Sequence, residues 1–148
     1  ATTFNDIDAG VRAYRPDARI EGVLMTPMAG RGTEVIIGVT RDPQYGPVIM
    51  FGLGGVFVEV IGDVVFRALP ITLEDAHEMI GGLRYASLLD GARGAAPVDR
   101  PALADLLLRV GGIAQLHPGI AGIDLNPVIV HADGYTIVDA RMVFEKHA

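Results

Sequence analysis

The stretch DLNPVIVHADGYTIVDAR, residues 124–141, decides the reading of this chain. Asp133-Gly134 is a strong two-residue turn signal between aliphatic and β-branched runs. It predicts a hairpin of two strand-like segments, Ile120 to His131 and Tyr135 to Phe144. With that turn, Asn126 stands opposite Arg141 and has Asp139 as its diagonal neighbour. Diagonal Cβ atoms on one face lie roughly 7–8 Å apart. Two oxygen-bearing side chains at that span can share one Mg²⁺ ion at about 2.1 Å. Asp124 precedes Asn126 by two positions, so strand alternation puts it on the same face. Pro127 holds Asn126 extended. A three-residue loop, Ala132 to Gly134, would instead separate the two faces unless a bulge restored them. The competing reading makes DLNP a turn and Asp139 a surface carboxylate, and spacing alone leaves both open.

Working outward from the hairpin, Asp99 caps a preceding helix and Pro101 sits in its first turn, where a missing N–H costs nothing. Leu103, Leu106, Leu107, Val110, Ile113 and Ala114 form its apolar stripe, Arg100, Asp105 and Arg109 point outward, and His117-Pro118 stops it. Asp90 to Pro97 is a surface loop. Thr72 opens another helix, with Asp75 at the capping-box position and Ala76, Met79, Ile80 and Leu83 on one face. Upstream, Arg19 to Thr26, Glu34 to Thr40, Val48 to Phe51, Val56 to Val60 and Val64 to Leu69 read as strands, the last two joined by a turn at Gly62-Asp63. Short connections between successive strands imply antiparallel pairing. Thr3 to Tyr14 is a short helix capped by Thr3, with Phe4, Ile7, Val11 and Tyr14 on one face. The order gives an α+β fold, mainly an antiparallel sheet with helices packed on it, in a single domain covering residues 1–148.

Composition narrows the function. The 148 residues carry a net charge of −6 and no run of Lys or Arg, which argues against nucleic acid as a partner. There is no Cys, so disulfides, thiolate catalysis and Cys-based zinc sites are excluded. Mean hydropathy is +0.37, yet the longest uncharged stretch, Pro43 to Val58, is short and broken by Pro and Gly, so no membrane association is expected. Without a signal-peptide pattern, the expected location is the cytoplasm. Gly52-Leu53-Gly54-Gly55 lacks the Gly-Lys-Ser/Thr of a phosphate-binding loop and no helix clearly follows it, so a bend between buried strands is favoured. The four His, at 77, 117, 131 and 147, have no spacing that suits a metal or a catalytic triad and receive no role.

Several blocks now read together: Glu34-Val35-Ile36-Ile37-Gly38-Val39, DPQYGPVIMFGLGGVFVEV over Asp42–Val60, Asp63 to Arg67, Arg93-Gly94, DLNPVIV over Asp124–Val130, and Val138 to Arg141. In this order they resemble the C-terminal part of the ATP-grasp region of ADP-forming acetyl-CoA and related acyl-CoA synthetases, and more distantly the succinyl-CoA synthetase β subunit. The resemblance covers nearly the whole chain. It implies a part of a ligase that interconverts acyl-CoA, ADP and phosphate with carboxylate, CoA and ATP.

The resemblance also assigns residues. Asn126 and Asp139 match the family's two Mg ligands, and Asp124 matches the catalytic acidic residue facing a migrating phosphohistidine loop. Thr26 to Ala29 matches the hinge contacting adenine, and Glu34 matches an acidic residue contacting the nucleoside. Gly52 to Gly55 and Arg67 would line the catalytic face. The implied cofactors are Mg and ATP or ADP. The implied partners are a CoA-binding and phosphohistidine domain or subunit, in an oligomer of the full-length protein. Three departures stand out: the family's phosphate-contacting Lys and small glycine-rich loop have no counterpart, Thr26 replaces a Gln-like hinge residue, and Gly122 stands near a family acidic residue. The chain is therefore expected to be a fragment of a longer protein and inactive when isolated. The alternative is a synthetase-like regulatory domain fused to a protein acetyltransferase.

Overall fold

The computed structural model describes residues 2–55, 61–91 and 96–145. β1 (Thr33–Asp42), β2 (Gly46–Leu53) and β3 (Val64–Ala68) follow α1 (Thr2–Tyr14); α2 (Leu73–Gly81), a 3-10 turn over Ala86–Asp90 and α3 (Arg100–Leu116) come next. β4 (Ile120–His131), β5 (Gly134–Ile137) and β6 (Ala140–Phe144) close the chain. All described pairings are antiparallel, in the order β3-β2-β1-β4-β5, with β6 also on β4. The α+β expectation holds.

One face of the sheet is apolar and covered. Val35, Ile37 and Val39 of β1 alternate into the core, where they meet Ile49, Phe51 and Leu53 of β2 and Ile123, Leu125, Val128 and Val130 of β4. α2 adds Ala76, Met79 and Ile80, while α3 adds Leu103, Leu107 and Val110. Each such aliphatic side chain contributes about 1.5–3 kcal/mol of transfer free energy. Helix ends follow the sequence signals. Thr72 and Asp75 form the reciprocal capping box of α2, and Asp99 caps α3 by accepting from the Ala102 N–H at 2.9 Å. Arg100 departs from its outward expectation: its guanidinium donates to the Ala86 carbonyl and to Asp90, tying α3 to the 3-10 turn.

Three further expectations change. Alternation over Arg19–Thr26 predicts a strand, but 18–30 runs without strand or helix, and Leu24, Met25 and Met28 are exposed. Alternation supplies a face, whereas a strand also needs a neighbour to receive its N–H and C=O groups, and none of the described strands pairs with this segment. α1 begins at Thr2, so Thr3 lies inside its first turn, and its Phe4, Ile7, Val11 and Tyr14 face stays exposed. The hairpin loop is Ala132-Asp133, with His131 paired to Gly134. The predicted strand Val56–Val60, Arg93 and Gly94 lie outside the described residues. Among the described residues no helix is long and apolar enough to cross a membrane.

Candidate functional site

The sheet's second face carries the polar residues of β4. Ile123 and Leu125 point into the core, so Asp124 and Asn126 are exposed on the opposite side. Moving the loop from Asp133-Gly134 to Ala132-Asp133 shifts the register by an even number of positions, which preserves the faces and changes the partners. Asp124 now pairs with Arg141 and Leu125 with Ala140. The same register carries Asn126 opposite Asp139, and the Asn126 N–H donates to the Asp139 carbonyl at 3.2 Å. The predicted diagonal relation is thus replaced by a direct backbone hydrogen bond between the two residues.

Strand order loosens at this point. Val138 and Asp139 separate β5 from β6, the Val138 N–H donates to the Pro127 carbonyl at 3.0 Å, and the Asn126–Pro127 peptide is cis. Across from it, β1 carries a register shift between Val35 and Ile37. The amide and the carboxylate therefore project from an irregular patch of an otherwise regular sheet, both open to solvent. Among the described residues no three His, Asp or Glu side chains gather as a metal cluster.

Two clefts flank this pair along the hairpin. The first, about 610 Å³, is lined by residues 26–32, Glu34, Ile129 and the pair's chain neighbours Pro127 and Val138. The structure thus brings Thr26, Ala29 and Glu34 into one cavity that ends beside Asn126 and Asp139. The second, about 320 Å³, holds Asp124, Arg141, Val39, Val143 and the bare backbone of Gly122.

The glycine-rich bend serves the first cleft indirectly. The Gly54 N–H donates to the Glu34 carbonyl at 2.7 Å, and a Cβ on Gly54 would lie 2.9 Å from the Glu34 Cβ. Gly55 has φ of +64°, and a Cβ there would come 3.3 Å from a Glu34 carboxylate oxygen. The bend packs against Glu34, and the second strand it was expected to join lies outside the described residues.

Arg67 does not join the face of Asp124. It pairs across from the buried Ile49 and donates to Glu78 of α2 at 3.1 Å, which places it on the helix side. Two residues passed over in the sequence have defined work. Asp63, almost buried, accepts the Arg84 and Tyr85 N–H groups at 2.9 and 3.0 Å. His131 bridges the Arg31 carbonyl and the Thr136 hydroxyl at 3.2 and 3.1 Å. The alternation of Val128, Val130 and His131 was the available sign that His131 faces the cleft side.

Comparison with known proteins follows the same outline. The family model for the ATP-grasp domain matches residues 1–144. The chain is 51% identical over 140 residues to the ADP-forming acetate–CoA ligase I of Archaeoglobus fulgidus, covering 95% of this chain and 20% of that protein. It is 49% identical over 140 residues to the β subunit of the ADP-forming acetate–CoA ligase I of Pyrococcus furiosus, covering 95% of this chain and 60% of that subunit. Among solved structures, the dinucleotide-forming acetyl-coenzyme A synthetase 1 of Ca. Korarchaeum cryptofilum, in complex with coenzyme A, Ca-AMPCP and HgCl⁺, superposes with a TM-score of 0.86 at 46% identity. That match covers 97% of this chain and 63% of the other. The chain thus spans a fifth to three fifths of the curated relatives it matches. On sequence and fold together, this chain belongs to the ATP-grasp family.

Proposed function

We propose that the chain is the nucleotide- and metal-binding part of an ADP-forming acyl-CoA synthetase, one portion of a longer enzyme that converts acyl-CoA, ADP and phosphate into carboxylate, CoA and ATP. The observation that supports this reading is the backbone hydrogen bond from Asn126 to Asp139, whose chain neighbours Pro127 and Val138 line the cleft of residues 26–32 and Glu34. A neutral amide oxygen and one carboxylate make a hard, oxygen-only donor pair, the chemistry Mg²⁺ selects. Such ions commonly keep few protein ligands and complete their shell with water and nucleotide phosphates. That habit accounts for the lack of a larger acidic cluster among the described residues.

In this reading the hinge from Thr26 to Ala29 receives the base, and Glu34 accepts hydrogen bonds from the nucleoside. Asn126 and Asp139 hold the metal, which when bound neutralises charge on the phosphates during transfer. Asp124 lies on the same face, in the neighbouring cleft, where it would meet the phosphohistidine segment of another domain or subunit. The relatives' names and the nucleotide complex of the solved neighbour support the assignment. The short share of each relative covered supports reading the chain as a fragment whose remaining phosphate contacts come from elsewhere.

Turnover of the full-length protein provides the test. Asp139→Ala is expected to lower kcat by two orders of magnitude or more, with acyl-CoA binding intact. Wild-type turnover in that variant would remove the assignment.

A further inference from the structure

Gly30, Arg31 and Gly32 form one wall of the larger cleft, yet they belong to no strand. Something other than a ladder must hold them. Gly32 lies against β4 so closely that a Cβ would meet the Val130 carbonyl at 2.5 Å. His131 reaches over this segment from the hairpin: its Nδ1 stands 3.2 Å from the Arg31 carbonyl, and its Nε2 stands 3.1 Å from the Thr136 hydroxyl of β5. Its own carbonyl accepts the Asp99 N–H at 2.7 Å, which anchors the base of the bridge to the capping residue of α3.

The chemistry of the partners fixes the roles. The Arg31 carbonyl only accepts, so Nδ1 carries the hydrogen and donates. In the neutral ring Nε2 then accepts from the Thr136 hydroxyl, and in the charged ring it donates to the same oxygen. The bridge survives either state because a hydroxyl can do both.

We infer that His131 is a positioning residue for nucleotide binding: it clasps the 30–32 wall of the cleft to the terminal hairpin, so that the wall is already in place when a purine nucleotide arrives. The inference rests on the nucleotide reading of the cleft. His131 itself lines a separate hollow with Arg31 and Ala132, so it acts through Arg31 and Gly32 and does not touch the nucleotide.

Steady-state kinetics of the full-length protein, with ADP as the varied substrate, tests the clasp. His131→Ala is expected to raise the KM for ADP about fivefold, the effect of one net hydrogen bond, with kcat and the KM for acyl-CoA within twofold. His131→Asn keeps a donor at the Nδ1 position and is expected to restore wild-type KM. His131→Gln reaches only towards Thr136 and is expected to behave like Ala. An unchanged KM in His131→Ala, an Asn variant as impaired as Ala, or a parallel loss in kcat and in the unfolding midpoint would each overturn the clasp. Asp139→Ala, run alongside, separates the two claims: if it turns over normally, the nucleotide reading has failed, whereas its inactivation beside a normal His131→Ala sinks the clasp alone.

Discussion

Gly32→Ala adds one methyl group where the wall of the cleft joins β1. The new Cβ would lie 2.5 Å from the Val130 carbonyl oxygen, 2.6 Å from Ile129 Cγ2 and 3.1 Å from His131 Nδ1, whereas ordinary contact begins at 3.4 Å. The nearest of these is backbone within the β1–β4 ladder, where Thr33 pairs with Val130, so it cannot step aside as a side-chain tip would. The wall must lift by nearly an ångström. Overpacking of this kind costs typically 1–3 kcal/mol; the wall is exposed and belongs to no strand, which favours the lower half of that range. If the displaced wall is the one that receives the nucleotide, about 1.4 kcal/mol of the cost appears as a tenfold weaker affinity. Titration calorimetry of the full-length protein with a Mg-bound, non-hydrolysable ATP analogue reads this directly. Gly30→Ala is the matched control: its Cβ would stand at an ordinary 3.5 Å from the His131 ring, and its affinity should stay within twofold of wild type. Wild-type affinity in Gly32→Ala, or equal loss in both variants, would refute the reasoning.

Helix α3 carries a second matched pair. Gly112→Ala meets nothing within 4 Å and should stabilise the fold by about 0.5–1 kcal/mol through helix propensity. Gly111→Ala would put a Cβ 2.9 Å from a Leu69 methyl group, so chemical denaturation should show it less stable than Gly112→Ala. At the start of α2, Thr72→Ala removes the cap and should cost about 1 kcal/mol. The Thr72 N–H and hydroxyl donate to Asp75 and hold its carboxyl below its ordinary range. Its contribution is therefore complete above the ordinary carboxylate pKa and fades as pH falls through the lowered value. Thermal melts of Asp75→Asn against wild type should differ at pH 7 and converge in strong acid; a gap independent of pH would contradict this.

The parts of the fold that follow local rules were legible. Capping signals located α2 and α3 because their chemistry is contained within a few residues, and the aliphatic, β-branched run of β1 and the Pro and Gly residues before β2 located those strands. What failed needed a partner. Arg19–Thr26 has the pattern of a strand but pairs with none of the described strands, and the apolar face of α1 stays exposed. In the candidate site, the pairing of Asn126 with Asp139 was foreseeable, since a register error of two positions leaves every side chain on its own face. The error lay in the loop: Gly134, at φ of +125°, serves as the first residue of β5 and not as part of the turn. Arg67 went to the wrong face because its strand parity depends on β3 pairing with β2 at Ile49, which no local signal fixes. The bonds made by His131 and Asp63 were not foreseen for a related reason. Their partners, Arg31 and Thr136 in one case and Arg84 and Tyr85 in the other, are set by tertiary contact and not by spacing.

The central claim is that an amide and a carboxylate facing each other across the last hairpin hold the divalent ion of a nucleotide complex. Electron paramagnetic resonance of Mn²⁺ titrated into the nucleotide-saturated full-length protein measures that occupancy without relying on turnover. The account predicts one tightly bound Mn²⁺ in the wild type, and loss of at least tenfold in its affinity in both Asn126→Ala and Asp139→Ala. Unchanged Mn²⁺ binding in the two variants would contradict it.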